Sequence, residues 1–263
     1  MPICRLDRTL ISLKGDDVAG FLNGLITNNL NSNLTFAALL TPQGKIIADF
    51  FIHVHPDGYI VLETADKFAK VLLLRLKMYK LRAKIDIEDV SDDFDVYALW
   101  NGQGDIGLTD PRYTALGQRY IAESGSLSPE HSPEDYDLHR LKLGIPDSTW
   151  DFGTEQIFPA DANMDLLHGV DYKKGCFIGQ EVVSRMHRKT EVRKRMRSVK
   201  LSGQAAAGDA LKAGGRTVGT LKHVRSGIGM ALVRLDRLTS AHDSVLVNDM
   251  PVEILEPNYE PQS

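Results

Sequence analysis

The run Tyr172-Lys173-Lys174-Gly175-Cys176-Phe177-Ile178-Gly179-Gln180-Glu181 gathers more reactive and conformationally special residues than any other stretch of the chain. A thiol beside two lysines, just ahead of a predicted helix carrying Val182, Val183 and Met186, is biased toward its thiolate. The thiolate is the form that attacks, exchanges disulfides or ligates metal. Glu181 falls in the first turn of that helix, where a carboxylate is favoured by the helix dipole. Gly175 and Gly179 admit positive φ or the close approach of another backbone. Three readings of Cys176 stand side by side. It is an inert buried thiol, a nucleophile served by a base such as His187, or an exposed thiol that exchanges electrons or ligates a cluster held with a partner.

The same run opens a basic island. Residues 173–200 hold ten Lys or Arg against Glu181 and Glu191, which leaves 21 basic and 33 acidic residues elsewhere. A basic segment inside an acidic chain is a place for an anion to dock. Aromatic residues are not interleaved with the charge, since Tyr172 and Phe177 precede most of it. Base stacking is therefore poorly served, and direct nucleic-acid binding is not expected. An RNA-binding module remains a third function class, with salt-sensitive affinity as its mark.

Two cysteines, Cys4 and Cys176, are too few for a disulfide framework, a four-thiolate zinc site or an iron–sulfur cluster. A cluster would need ligands from a partner, another copy or a small thiol. His53 and His55 lack a third ligand at metal-like spacing, so no metal site is expected. At 263 residues, 43% hydrophobic and 25% charged, the chain is ordinary globular material with room for two domains. No apolar run approaches the roughly 18 residues of a membrane span. The first residues have no signal-peptide or transit character, which sets a cytoplasmic expectation.

Lys-Gly-Cys-Phe-Ile-Gly-Gln-Glu, with Asn163-Met164-Asp165-Leu166-Leu167 before it, Ser184-Arg185 after it and Gly144-Ile145-Pro146 upstream, resembles the signature of the YgfZ family. These are folate-binding relatives of the glycine-cleavage T-protein. The resemblance implies tetrahydrofolate as ligand, with Glu181 accepting the donor edge of the pterin. It implies that Lys174, Arg185 and the cluster Arg193-Lys194-Arg195 attract the glutamate tail, that Asn28 touches ligand at the end of its helix, and that Tyr136 lines the pterin pocket. For a helix aromatic such as Tyr136, packing into core is the more common outcome. In T-proteins an Asp of a Gly-x-x-x-Asp-Asp segment lies against the reacting nitrogen of folate. Here the pair reads Ala48-Asp49, a departure that counts against T-protein chemistry. Asp49 also stands out physically, because a carboxylate in mid-strand between apolar neighbours is costly without a partner.

The elements that must hold these groups follow from pattern. Residues 10–13 read as a strand, and Val18, Phe21, Leu22 and Leu25 take helical spacing. Residues 46–55 alternate as a strand, turn at Pro56-Asp57-Gly58 and return over 59–63. A helix over 66–80, a strand over 81–90 and strands at 94–100 and 118–122 follow. Ser132-Pro133-Glu134-Asp135 starts a helix that stops at Gly144. Residues 150–163 have little pattern and are expected to wrap the surface. Beyond 196 only short strands occur, with no helix.

The expected fold is α+β, an antiparallel-sheet folate-binding module of the T-protein type over residues 1–195, then a small β-barrel over 196–263. The expected function, implied by the resemblance, is a tetrahydrofolate-binding accessory protein. It would assemble, repair or maintain iron–sulfur clusters in client enzymes, including those that modify tRNA, with Cys176 as the working thiol. The rival is a folate-dependent aminomethyltransferase. Expected partners are folate and iron–sulfur client or assembly proteins, without a membrane.

Overall fold

The computed structural model describes residues 1–102, 106–189, 192–238 and 244–259. Its elements in chain order are β1 (Ile3–Leu6), β2 (Arg8–Gly15), α1 (Val18–Asn23), β3 (Leu34–Leu40), β4 (Ile46–Val54), β5 (Ile60–Ala65), α2 (Asp66–Lys80), β6 (Ile85–Asp89), β7 (Phe94–Leu99), β8 (Leu108–Thr109), β9 (Gln118–Glu123), α3 (Pro133–Lys142) and α4 (Gln180–Lys189). The C-terminal part adds β10 (Lys194–Leu201), β11 (Ala210–Ala213), β12 (Arg216–Arg225), β13 (Ile228–Arg234), α5 (Leu235–Leu238), β14 (Leu246–Val247) and β15 (Met250–Ile254).

Three antiparallel units result. One sheet runs β3-β4-β5-β2-β6, a second runs β1-β7-β9-β8, and β10-β13-β12-β11-β14-β15 closes into a barrel. The expected α+β architecture with a terminal barrel is what forms. The barrel's first strand starts at Lys194, two residues before the expected boundary.

Helix α2 buries Phe68, Leu72 and Leu76, one stripe of its 3.6-residue period, against the five-stranded sheet. At the start of α3, Ser132 and Asp135 form a reciprocal capping box ahead of Pro133 at the first position.

Strand β3 was not expected, and its sequence explains why. Leu34-Thr35-Phe36-Ala37-Ala38-Leu39-Leu40 is buried at every position, so it shows no alternation to read. Its free edge is closed by Ile26 and Thr27, with Thr27 N–H donating to Ala38 O and Ala38 N–H to Thr27 Oγ1. Residues 150–163 have no regular element, as expected, but they do not wrap the surface. Asp151, Phe152, Ile157, Ala162 and Asn163 are buried, and the segment's backbone bonds to Ile46 at the start of β4. Strand β6 begins only at Ile85, because the chain first turns through Leu81 with φ of 44°. The one-turn α5 appears where no helix was expected, since a single turn is too short for periodicity to register. No helix among the described residues is long and apolar enough to cross a membrane.

Candidate functional site

Cys176 stands exposed on an arch whose two ends are fixed. At one end Lys174 Nζ donates to Asn23 O (3.0 Å), Ile26 O (2.8 Å) and Asn28 O (2.8 Å), which caps the end of α1. The same turn is sewn to residues 168–173. Thr27 Oγ1 donates to Gly169 O (2.6 Å), Asn28 Nδ2 to Phe36 O (2.9 Å) and His168 O (2.6 Å), and Asn29 Nδ2 to Asp171 Oδ2 (2.5 Å). Asp171 Oδ1 in turn accepts from Lys173 N–H (2.7 Å). At the other end Gly179, at φ of 81°, lies so close to the Thr41 carbonyl that a Cβ there would come within 2.6 Å of it. Only glycine fits. Gly175 faces open space and needs neither allowance. Phe177 is buried beneath the arch, with Lys174 Nζ 5.4 Å from its ring centre.

The two thiols are thus unlike. Cys4 is fully buried, and burial pushes its pKa up to about 12. Cys176 is open to solvent, which removes the reading of a buried inert thiol.

Other residues expected around a ligand separate into groups. Lys174 and Asn28 spend their side-chain polar capacity on backbone groups and act as architecture. Lys174→Met should lower the unfolding free energy by about 1–3 kcal/mol, because it strands buried carbonyls. Denaturant unfolding checks this. Glu181 and Arg185 are exposed on α4, four residues apart on one face, with no side-chain hydrogen bond or ion pair among the described residues. They belong to the same surface loop-and-helix unit as Cys176, not to a closed pocket.

Asp49 and Tyr136 lie in the interior, among charges that the sequence did not announce. On β4, Asp49, Phe51 and His53 share one face. The Phe51 ring carries the guanidinium groups of Arg119 and Arg112, at 3.9 and 4.8 Å from its centre. Opposite Phe51 on β5, Glu63 is fully buried and accepts from Arg8 Nε (3.0 Å), Arg119 Nε (3.0 Å), Arg119 Nη2 and, as a third partner, His53 Nε2 (3.0 Å). Burial alone would raise the Glu63 pKa, but Arg119, His53 and Arg8 hold it well below the usual carboxylate range. Arg112 grips Asp110 through Nε and Nη2 (3.0 and 2.9 Å). A second centre, Arg140 with Asp137 and Asp151, ties α3 to the barrel, because Asp137 also takes His223 Nε2 (2.6 Å) and Arg225 Nε.

Burial pushes the Asp49 carboxyl up, against the opposing pull of Arg8, and its Oδ1 has no hydrogen-bond partner. Asp49→Asn should therefore match or exceed the parent in stability by about 1–2 kcal/mol near neutral pH, since it removes an incompletely bonded buried charge. A raised folded pKa means that the penalty exists only while the group is ionised. The advantage of the variant should shrink as pH falls through that pKa, as thermal melts across pH would record. Tyr136 packs edge-on against Trp100 at 5.5 Å. It lines a void of about 30 Å³ shared with Arg8, Arg119, Asp147 and Trp150, room for a water and no more.

A space large enough for a small molecule lies on the other side of the Glu63–Arg119 pair. A cavity of about 500 Å³ opens between the two sheets beside His53. A pterin offers an edge of N–H donors that a carboxylate recognises. Among the described residues the cavity wall contains no Asp or Glu, and Glu63 behind it is saturated by two arginines and a histidine. Asp49 and Glu181 do not reach the wall. The described residues of this wall offer no carboxylate to the pterin half of a folate. No group of three or more His, Cys, Asp or Glu able to hold a metal ion occurs among the described residues.

Comparison with known proteins bears on what such an arrangement serves. Residues 193–262 match the family described as CAF17, C-terminal beta-barrel domain. A protein named iron-sulfur cluster assembly factor IBA57 homolog, mitochondrial, from Mycosarcoma maydis is 31% identical over 218 residues, covering 72% of this chain and 54% of that protein. Its counterpart from Phaeosphaeria nodorum is 35% identical over 230 residues, covering 77% and 56%. The human iron-sulfur cluster assembly factor IBA57, mitochondrial, is 28% identical over 278 residues, covering 89% and 78%. The chain thus spans little more than half the length of the fungal relatives. The crystal structure of the glycine cleavage system aminomethyltransferase T from Bartonella henselae superposes with a TM-score of 0.75 over 98% of this chain and 86% of that one. At 14% identity it shares the fold.

The link to the T-protein fold stands, while the relatives carry the name IBA57 and not YgfZ. Their names also place them in mitochondria. This overturns the cytoplasmic expectation, which rested on the character of a few N-terminal residues. By these matches the chain is similar to the iron–sulfur cluster assembly factors named IBA57, has the fold of an aminomethyltransferase and ends in a barrel that matches the CAF17 C-terminal family.

Proposed function

We propose that the chain is an iron–sulfur cluster assembly factor in which Cys176 supplies one thiolate to a cluster whose remaining ligands come from a partner. The observation that carries this reading is the exposed thiol on a braced arch, without co-ligands among the described residues. A lone thiolate cannot hold a cluster, but it can complete one presented by another protein or a small thiol. Bracing by Lys174 and Gly179 fixes where the sulfur stands, so little ordering is needed at the moment of docking. The exposed bases of the same basic segment, Lys173, Arg185, Arg188 and Arg193, suit an acidic partner surface.

Client enzymes that receive the cluster include, in this reading, those that modify tRNA. Tetrahydrofolate, the ligand implied by the sequence resemblance, belongs here as a ligand of the interior cavity and not of the Cys176 arch. The aminomethyltransferase alternative lacks support at the site, because Ala48 stands in place of one carboxylate and Asp49 is walled off from the cavity. The test is maturation of an iron–sulfur enzyme that depends on this chain. Wild type and Cys4→Ser should restore its activity, and Cys176→Ser should not. Equal rescue by all three would remove the proposal.

A further inference from the structure

Helix α2 buries one stripe on the five-stranded sheet, and its outward face is only partly polar. Among the described residues six large hydrophobic side chains stand exposed, and three of them follow one another at helical spacing on α2 and at its end. These are Leu74, Met78 and Leu81, at 65%, 50% and 86% exposure, and none packs against a core. A single exposed leucine is ordinary, whereas a row is a patch. Leu81 is also costly to hold. It takes φ of 44° where the chain leaves the helix, in a turn closed by Ala83 N–H donating to Lys80 O (2.8 Å). Such a position favours glycine, yet a leucine stands there with its side chain in solvent.

The patch is ringed by one sign of charge. Residues 67–84 carry seven Lys or Arg and no Asp or Glu. Arg75 pairs with Glu155 at 3.8 Å, and Lys67 Nζ donates to Thr149 O. Lys70, Lys77, Arg82 and Lys84 are exposed, with no side-chain hydrogen bond or ion pair among the described residues. The acids that follow, Asp86 and Glu88, lie opposite Lys14 and Ser12 of β2. They share the face of the sheet away from α2, since Thr9 of β2 meets Asp66 of α2 on the other face.

We propose that the outward face of α2 docks on an anionic lipid bilayer, with Leu74, Met78 and Leu81 dipping below the headgroups and the flanking bases on the lipid phosphates. An apolar ridge between bases is the pattern of a helix that lies in a membrane interface. Other occupants match the charge less well. A second copy would set base against base. A protein partner would be met by arginine, which is enriched at protein interfaces, but five of the seven bases here are lysines, which are depleted there. A lysine carries a point charge on a long apolar stem, which suits a diffuse anionic surface beside an acyl layer. A helix in the interface spans nothing, so the lack of a membrane-crossing helix among the described residues does not bear on it.

Flotation of the full chain with phosphatidylcholine vesicles, with and without about 30% phosphatidylglycerol, tests it. The chain should bind the anionic vesicles at least about tenfold more tightly than the neutral ones, and added salt should weaken that binding. Leu74→Ser with Met78→Ser should weaken it by about tenfold or more, through lost apolar burial. Lys70→Glu with Lys77→Glu should do the same through charge. All four positions are exposed, so thermal melts of these variants should match wild type. Leu81→Gly separates docking from folding. It should weaken vesicle binding while the melting temperature holds or rises, because glycine relieves the turn. Equal binding to both kinds of vesicle, or undiminished binding by the folded α2 variants, would overturn the proposal. No binding to either kind would also overturn it, and would leave the ridge to an acidic protein.

Discussion

Replacing Arg119 by methionine will lower the unfolding free energy by about 3–5 kcal/mol, the usual cost of removing one partner from a buried ion pair. Arg119 is about 1% exposed and Glu63 is fully buried. The substitution leaves the Glu63 carboxylate with Arg8 and His53 alone, deprives Asp110 of a donor at 3.4 Å, and removes the guanidinium stacked on Phe51. The double variant Arg119→Met with Glu63→Gln should recover part of the loss, since the orphaned charge, not the missing attraction, carries most of the penalty. Additive losses in urea titrations would contradict this.

The same centre sets the acid limit of stability. Glu63 is buried and Asp147 half-buried, yet neighbouring arginines hold both below the ordinary carboxylate range. Their folded pKa values lie below their unfolded ones. Their contribution is therefore fully present above the unfolded range and lost as pH falls through the folded values. In the double variant this acid-side decline should be shallower.

These arginines show where the sequence stopped speaking. Arg112 with Asp110 and Arg140 with Asp137 are neighbours in sequence, but Arg8 and Arg119 each stand amid ordinary surface-like sequence, and only the sheet topology brings them onto Glu63. A buried charge cannot be told from a solvated one without its partner. The elements with a period were legible, α2 from Phe68, Leu72 and Leu76 and α3 from its capping box. Strand β3, apolar on both faces, was not. The Cys176 arch was legible as chemistry because glycine, lysine and thiol crowd together. Its support was not, because Lys174 reads as a phosphate- or carboxylate-seeking cation until its three carbonyl partners, Asn23 at the end of α1 and Ile26 and Asn28 just after it, are seen.

The second large effect falls on function with none on the fold. Cys176→Ser should reduce cluster-dependent maturation of a client by more than about 100-fold, since even groups that only support metal ligands are worth about 10–100-fold. The side chain is exposed and makes no packing contact that would be lost, so stability should change by no more than about 0.5 kcal/mol. A folding defect in the variant would mean that the thiol is structural after all. Iodoacetamide should alkylate Cys176 in the native protein and reach Cys4, buried and with its pKa pushed up to about 12, only on unfolding.

The measurement that bears most directly on the central claim is anaerobic reconstitution of the chain with ferric iron, sulfide and glutathione, the last supplying the thiolates that the chain lacks. After gel filtration, visible sulfur-to-iron absorption should co-elute with wild type and Cys4→Ser and be absent from Cys176→Ser. Equal absorption in the Cys176→Ser protein, or none in any of the three, would contradict the assignment of Cys176 as a cluster ligand.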